Sequence, residues 1–208
     1  MTRRTEGVRT HGRSARVVED VLKATLEEIG RVGYEALRFE DVATLSGVNK
    51  TTIYRRWPTK IELVGAALRH LITPNEPPET GSVRGDLLEL LREVVKRAES
   101  PTGRGLLRMM QNEGSHPEVE QMKRSLHADH VRARAIVVEH AVARGELPPN
   151  IDAELVIELA FAPVMRRVVN GIAPADEEFL EAAVDVILAG ARAGAATRRP
   201  SRSRAFGS

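Results

Sequence analysis

Cysteine is absent from the 208 residues, and that one gap removes disulfide frameworks, thiolate catalysis and cysteine-ligated zinc or iron–sulfur sites. Aromatic side chains are scarce: one Trp, two Tyr and four Phe. They are too few for a stacking platform that would hold single-stranded nucleic acid or sugar. No apolar stretch approaches the roughly 18 residues of a membrane span. The opening segment MTRRTEGVRTHGRSARVVED carries charge but no apolar core of the kind a secretory leader needs. Serines stand without a partnered His and Asp at any informative spacing, and there is no glycine-rich phosphate loop. An enzyme is therefore not expected, and no cofactor is implied. With 42% hydrophobic and 29% charged residues, the composition is that of a soluble, cytosolic globular protein.

The net charge of +2 conceals an asymmetry. Residues 1–60 hold 12 Lys/Arg against 8 Asp/Glu, residues 61–191 hold 14 against 21, and 192–208 hold five arginines and no acid. A basic start on an acidic body suits a chain that meets a polyanion at one end. Solvated surface would also produce such imbalance, so charge alone does not decide.

Helical periodicity dominates, and no run shows strand-like alternation flanked by hairpin turns. The first helix is predicted over 15–32, with Val18, Val21, Leu22, Thr25, Leu26 and Ile29 as its inner stripe and Gly33 ending it. Two short helices follow at 39–46 and 50–57, joined by Gly47-Val48-Asn49. Pro58 stops the second, and Thr59-Lys60-Ile61-Glu62 reads as a capping box that opens a fourth helix ending before Pro74. Beyond a Pro-rich connection at 73–82, helices are expected near 83–99, 103–112, 117–144, 152–170 and 176–193, with a kink at Pro163. Domain boundaries follow: a flexible basic arm at 1–14, a first domain at 15–72, a second at 83–193, and a disordered basic tail at 194–208.

Three short helices within about 45 residues, the last two joined by a tight glycine turn, form a helix-turn-helix. Ala43 is small where two helices cross, Gly47 supplies the turn, and Val42, Val48 and Ile53 share an apolar core. Phe39 and Trp57 close its two ends. The stretch GYEALRFEDVATLSGVNKTTIYRRWPTKIELV, residues 33–64, resembles the DNA-binding domain of the TetR family of bacterial transcriptional regulators. Ala43, Gly47, Thr52, Ile53, Tyr54, Pro58 and Lys60 match the family pattern, and Trp57 fills its closing aromatic position. Arg38 departs from it, standing where members often carry a capping Ser or Thr. The all-helical remainder is similar to the family's ligand-binding and dimerisation domain in layout, with Arg144-Gly145-Glu146-Leu147-Pro148 as a weaker signature. The expected fold is all-α: an N-terminal three-helix DNA-binding domain and a C-terminal helical domain.

Helix geometry assigns the outward residues without the resemblance. With Ile53 pointing inward and about 100° of turn per residue, Trp57 falls about 40° away and belongs to the core. Thr51 and Arg55 fall about 160° away, Thr52 and Tyr54 about 100°, and Lys50 and Arg56 about 60°. Thr51, Thr52 and Arg55 are thus the candidate base readers, since arginine can pair with guanine O6 and N7 and a threonine methyl can touch thymine. Lys50, Tyr54, Arg56 and Lys60 suit phosphates. Arg3, Arg4, Arg9 and Arg13 form either an arm for a minor groove or a solvated tail.

Other features carry bland readings beside functional ones. His127 and His130 share a helix face, and His116, Glu113, Glu120 or Asp129 would be needed to complete a metal site. No recognised metal spacing is present, so no metal is expected. Met109, Met110, Phe161 and Met165 are candidates for lining an adaptable ligand pocket, with plain core as the alternative. Arg166-Arg167 either bind an anion or extend to solvent. Leu155, Leu159, Phe179, Ala183 and Ile187 give the last two helices more apolar surface than a monomer should leave open, and the resemblance implies a homodimer through them. It further implies a repressor released from a near-palindromic double-stranded DNA operator by a small-molecule effector. The alternatives are a DNA-binding or architectural protein without a ligand response, and an enzyme or carrier on a decayed motif.

Overall fold

A computed structural model describes residues 10–72, 76–100, 102–104, 106–107 and 117–197. The named helices are α1 (Thr10–Ala36), α2 (Phe39–Ser46), α3 (Lys50–Arg56), α4 (Lys60–Ile72), α5 (Val83–Glu99), α6 (Pro117–Ala143), α7 (Ala153–Asn170) and α8 (Glu177–Arg192). Among the described residues the one β feature is an isolated bridge between Ile151 and Thr197. No helix there is long and apolar enough to cross a membrane.

Described residues up to 72 join 98–129 in one compact unit, and 76–97 join those from 130 on in a second. The first unit is thus larger than the 15–72 expected, because the first half of α6 belongs to it. Its core takes Val21, Leu22, Leu26 and Ile29 from α1, Val42 from α2, Ile53 from α3, and Leu63, Val64 and Ala67 from α4. Val119, Met122 and Leu126 of α6 complete it. Apolar residues three and four apart on each helix make these stripes, and their burial is the main favourable term.

Several boundaries moved for identifiable reasons. Gly33 does break α1, with φ 80° and ψ 177°, but one further turn runs to Ala36 before the chain leaves. Only a glycine holds that backbone comfortably. α3 ends at Arg56, one residue early, because Trp57 takes an extended φ of −130° and ψ of 89°. A residue before proline avoids the helical region, and Pro58 follows. Half of the expected capping box is present: the Glu62 amide donates to Thr59 Oγ1 at 3.3 Å. Arg38 gives α2 no side-chain cap.

The second unit packs α5, the rest of α6, α7 and α8 around Leu87, Leu90, Leu91, Val137, Val138, Ile157, Ala160, Val164, Val184 and Leu188. The Arg144–Pro148 signature has a structural explanation in it. Arg144 bonds the buried Asp86 carboxylate at 3.0 Å, and Glu146 accepts from the Val83 amide at 2.9 Å. The turn after α6 is thereby tied to the start of α5, and Gly145 makes it with φ 76°.

α7 runs from Ala153 to Asn170 with Pro163 inside it. The carbonyl that Pro163 leaves without a donor belongs to Leu159, an exposed position. Order also extends past residue 193: Ala196 is buried, and its carbonyl accepts from the Asp152 amide at 2.7 Å. Residues 194–197 therefore belong to the body, and 198–208 lie outside the described residues.

Candidate nucleic-acid interface

The turn between α2 and α3 is built from backbone rules. Gly47 closes α2 in the left-handed conformation, φ 67° and ψ 12°. Asn49 then caps α3, its Oδ1 accepting from the Thr51 amide at 2.9 Å. The Trp57 amide donates back to the Ile53 carbonyl at 2.9 Å. Ile53 is fully buried and Trp57 is 9% exposed, so α3 is seated by the two side chains that geometry selected.

The opposite side of α3 carries the polar set. Thr51, Arg55, Lys50 and Arg56 are exposed, Tyr54 is 39% exposed, and Thr52 is half-buried. Arg55 has no hydrogen-bond or ion-pair partner among the described residues. Tyr54 is held flat, its ring stacked on Phe39 with centroids 4.1 Å apart and planes 11° apart. Its hydroxyl edge is fixed in place before any partner arrives.

Two of the expected phosphate residues already have partners. Lys50 pairs with Glu40 of α2 and lies 5.5 Å from the Tyr54 centroid. The carboxylate raises the lysine above its ordinary value, and the ammonium holds the Glu40 carboxyl below its own. Because both groups are exposed, the pair is weak. Arg56 lies 5.7 Å from the Trp57 ring centroid.

Lys60 is placed differently from its expectation. Its Nζ donates to the carbonyls of Tyr34 at 3.0 Å and Glu35 at 2.9 Å, and sits 5.0 Å over the Tyr34 ring. It caps the end of α1 just beyond the Gly33 break, which leaves one of its three donors for anything else. The contact spans 25 residues of sequence, so local pattern could not reveal it. Tyr34 in turn donates to Glu118 of α6 at 2.7 Å.

A cleft of about 440 Å³ lies beside α3, lined by Val17, Val18 and Val21 of α1 together with Thr52, Arg55 and Trp57. Thr52 therefore borders the cleft rather than facing fully outward. Arg3, Arg4 and Arg9 lie outside the described residues, as does the side chain of Arg13.

In the second unit, Leu155, Leu159, Phe179, Ala183 and Ile187 all line one open apolar groove of about 570 Å³ between α7 and α8. Val186, which the sequence reading did not single out, lines it too and is 73% exposed. Ion pairs hold the other side of α8 to α5: Arg84 to Asp185 at 2.7 Å, and Arg92 to Glu177. Of the pocket candidates, Phe161 is buried beneath Arg134 and His130, and Met165 is half-buried. Met109 and Met110 lie outside the described residues. Arg167 is occupied, donating to the Pro174 carbonyl at 2.7 Å and resting 3.4 Å from the Phe179 ring centroid. Among the described residues no group of His, Asp and Glu could hold a metal ion.

The short polar helix on a buried seat has counterparts in known proteins. Residues 21–67 match the family described as bacterial regulatory proteins, tetR family, and 77–187 match the tetracyclin repressor-like C-terminal domain. The chain belongs to the TetR family of transcriptional regulators. It is 36% identical to the HTH-type transcriptional regulator AqdR of Rhodococcus erythropolis over 152 residues, 73% of each chain. It is 32% identical to a DNA-binding transcriptional repressor TetR of Mycobacteroides abscessus, covering 81% of this chain and 90% of that one. The solved TetR family transcription regulator SCO0332 superposes with a TM-score of 0.65 at 31% identity, covering 84% and 98% of the two chains. This TetR-family protein is a helix-turn-helix DNA-binding regulator, not an enzyme.

Proposed function

We propose that the protein is a repressor which binds a near-palindromic operator as a two-fold dimer and leaves it when a small molecule occupies the C-terminal unit. The observation that carries this reading is α3 itself. Thr51 and Arg55 stand exposed on a helix whose Ile53 and Trp57 are buried. A seven-residue helix held that way can enter a major groove and present its outer side to base edges. Arg55 has the fork to pair with guanine, Thr51 reads beside it, and Thr52 reaches from the edge of the cleft. Lys50, Tyr54 and Arg56 fix the register on phosphates. Lys60 serves the backbone more indirectly, through the turn it holds.

The groove between α7 and α8 supports the dimer. Its apolar lining lies open on one chain, and burying it against a symmetry mate sets two recognition helices at a fixed spacing. An effector acts by preferring a state whose spacing no longer fits the operator, through its difference in affinity for the two states. The protein works where the DNA is, in the cytoplasm.

Selection of bound duplexes from a random pool tests the reading. It is expected to return inverted half-sites about one helical turn apart, or a multiple of that. A pool that stays random, or a single unrepeated half-site, would contradict it.

A further inference from the structure

The core of the C-terminal unit is hydrocarbon at almost every position; besides Asp86, which Arg144 holds, it buries a guanidinium. Arg134, in the second half of α6, is 1% exposed. Its Nη1 approaches only the His130 carbonyl of its own helix, at 3.4 Å. The buried Nε meets no acceptor among the described residues. The guanidinium carbon lies 5.4 Å from the Phe161 ring centroid, and His130 meets the same ring edge-on at 4.9 Å.

No carboxylate is paired with this cation among the described residues. The charges that reach it are Arg97, which repels, and Glu93, which attracts. Those two are already paired with each other at 2.6 Å, so the one acid that attracts Arg134 is shared with a second cation. Burial and the Arg97 charge bring the Arg134 guanidinium down to about 10, which leaves it cationic at neutral pH. An unpaired buried charge opposes folding, and an apolar side chain of similar volume would serve the core better. The planar fork of donors on a guanidinium matches the two oxygens of a carboxylate.

We propose that Arg134 is the anchor of the effector site, and that the effector is a monocarboxylate whose apolar or aromatic body lies against Phe161. The inference rests on the ligand-gated reading above and names the chemical class of its ligand. A carboxylate can accept from Nε and an Nη of one guanidinium together. Its single charge matches the one guanidinium, whereas a phosphate monoester would bring nearly two. Phe161 and its buried neighbours Ala160 and Val164 on α7 offer hydrocarbon to the rest of the molecule. The Arg134 side chain is 1% exposed, so an acid reaching it has to part the side chains around it. That opening gives the ligand a preferred state, which a switch requires.

Thermal melting of the full-length protein and of Arg134→Met tests the assignment. The probes are 4-phenylbutyrate and decanoate, each compared with its own amide at matched ionic strength. Without ligand, Arg134→Met is expected to melt roughly 2–4 °C higher than wild type. Either acid should raise the wild-type Tm where its amide does not, and the variant should respond to neither. A variant that melts lower or fails to fold would make Arg134 a structural member and overturn the proposal. Equal responses to acid and amide in wild type would also overturn it. Operator binding keeps the two readings apart. A protein with no operator at all would sink the repressor reading while the melting curves still judged Arg134.

Discussion

Two faces of this protein stand open to solvent, and their chemistry is opposite. The outer side of α3 is hydroxyl and guanidinium, seated on Ile53 and Trp57. The outer side of α7 and α8 is Leu155, Leu159, Ala183, Val186 and Ile187, with Arg84 and Arg92 turned toward acids on α8 and away from the groove. A polar face on a rigid seat keeps its water until a polyanion replaces it. An apolar face of that extent is a standing cost that a partner removes. On the function proposed above, the contrast separates two tasks on one chain: reading DNA, and fixing the distance between two readers.

The contrast is most severely tested by charging the apolar face. Leu159→Glu places a carboxylate where the groove is to be buried. Sedimentation should then show a monomer, and operator affinity should fall about 10²–10⁴-fold as the second half-site is lost. An unchanged dimer would move the interface elsewhere. The second test removes the seat of the polar face. Trp57→Ala is expected to cost about 3–5 kcal/mol of stability, read by denaturant unfolding. Because Thr51 and Arg55 then lose their platform, specificity should fall with stability; a loss below about 1 kcal/mol would mean that α3 is held by something else.

A smaller effect separates phosphate contact from fold. Lys60→Ala should cost about 1–2 kcal/mol, because it frees two helix-end carbonyls that the ammonium now satisfies. The salt dependence of DNA binding should change by less than one unit of slope. A slope that drops by a full unit with unchanged stability would return Lys60 to the phosphate set.

The DNA-binding end was legible because its signals are local. Gly47 and Pro58 punctuate short helices, so α2 falls at 39–46 as read, and one rotation about Ile53 separates Trp57 from Arg55. The five residues proposed for the dimer face were legible as a group, since excess apolar surface on adjacent helices shows in periodicity. What escaped were buried charges, one paired within its own helix and the others acting across the fold. Glu28, Asp86 and Arg134 are all buried, and a lone charge on a helix reads as surface. Their partners explain the first two: Arg31 holds Glu28, and Arg144 and Thr80 hold Asp86. Lys60 escaped for the same reason, since the carbonyls it caps lie on another helix.

Arg55→Ala, titrated against the selected operator and against random duplex at one salt concentration, tests the central claim most directly. Loss of a bidentate base contact predicts about 1–3 kcal/mol lost on the operator, relaxed preference at one base pair, and a much smaller change on random DNA. Equal losses on both duplexes would mean that Arg55 only neutralises phosphate, and that α3 does not read sequence through the side chains assigned to it.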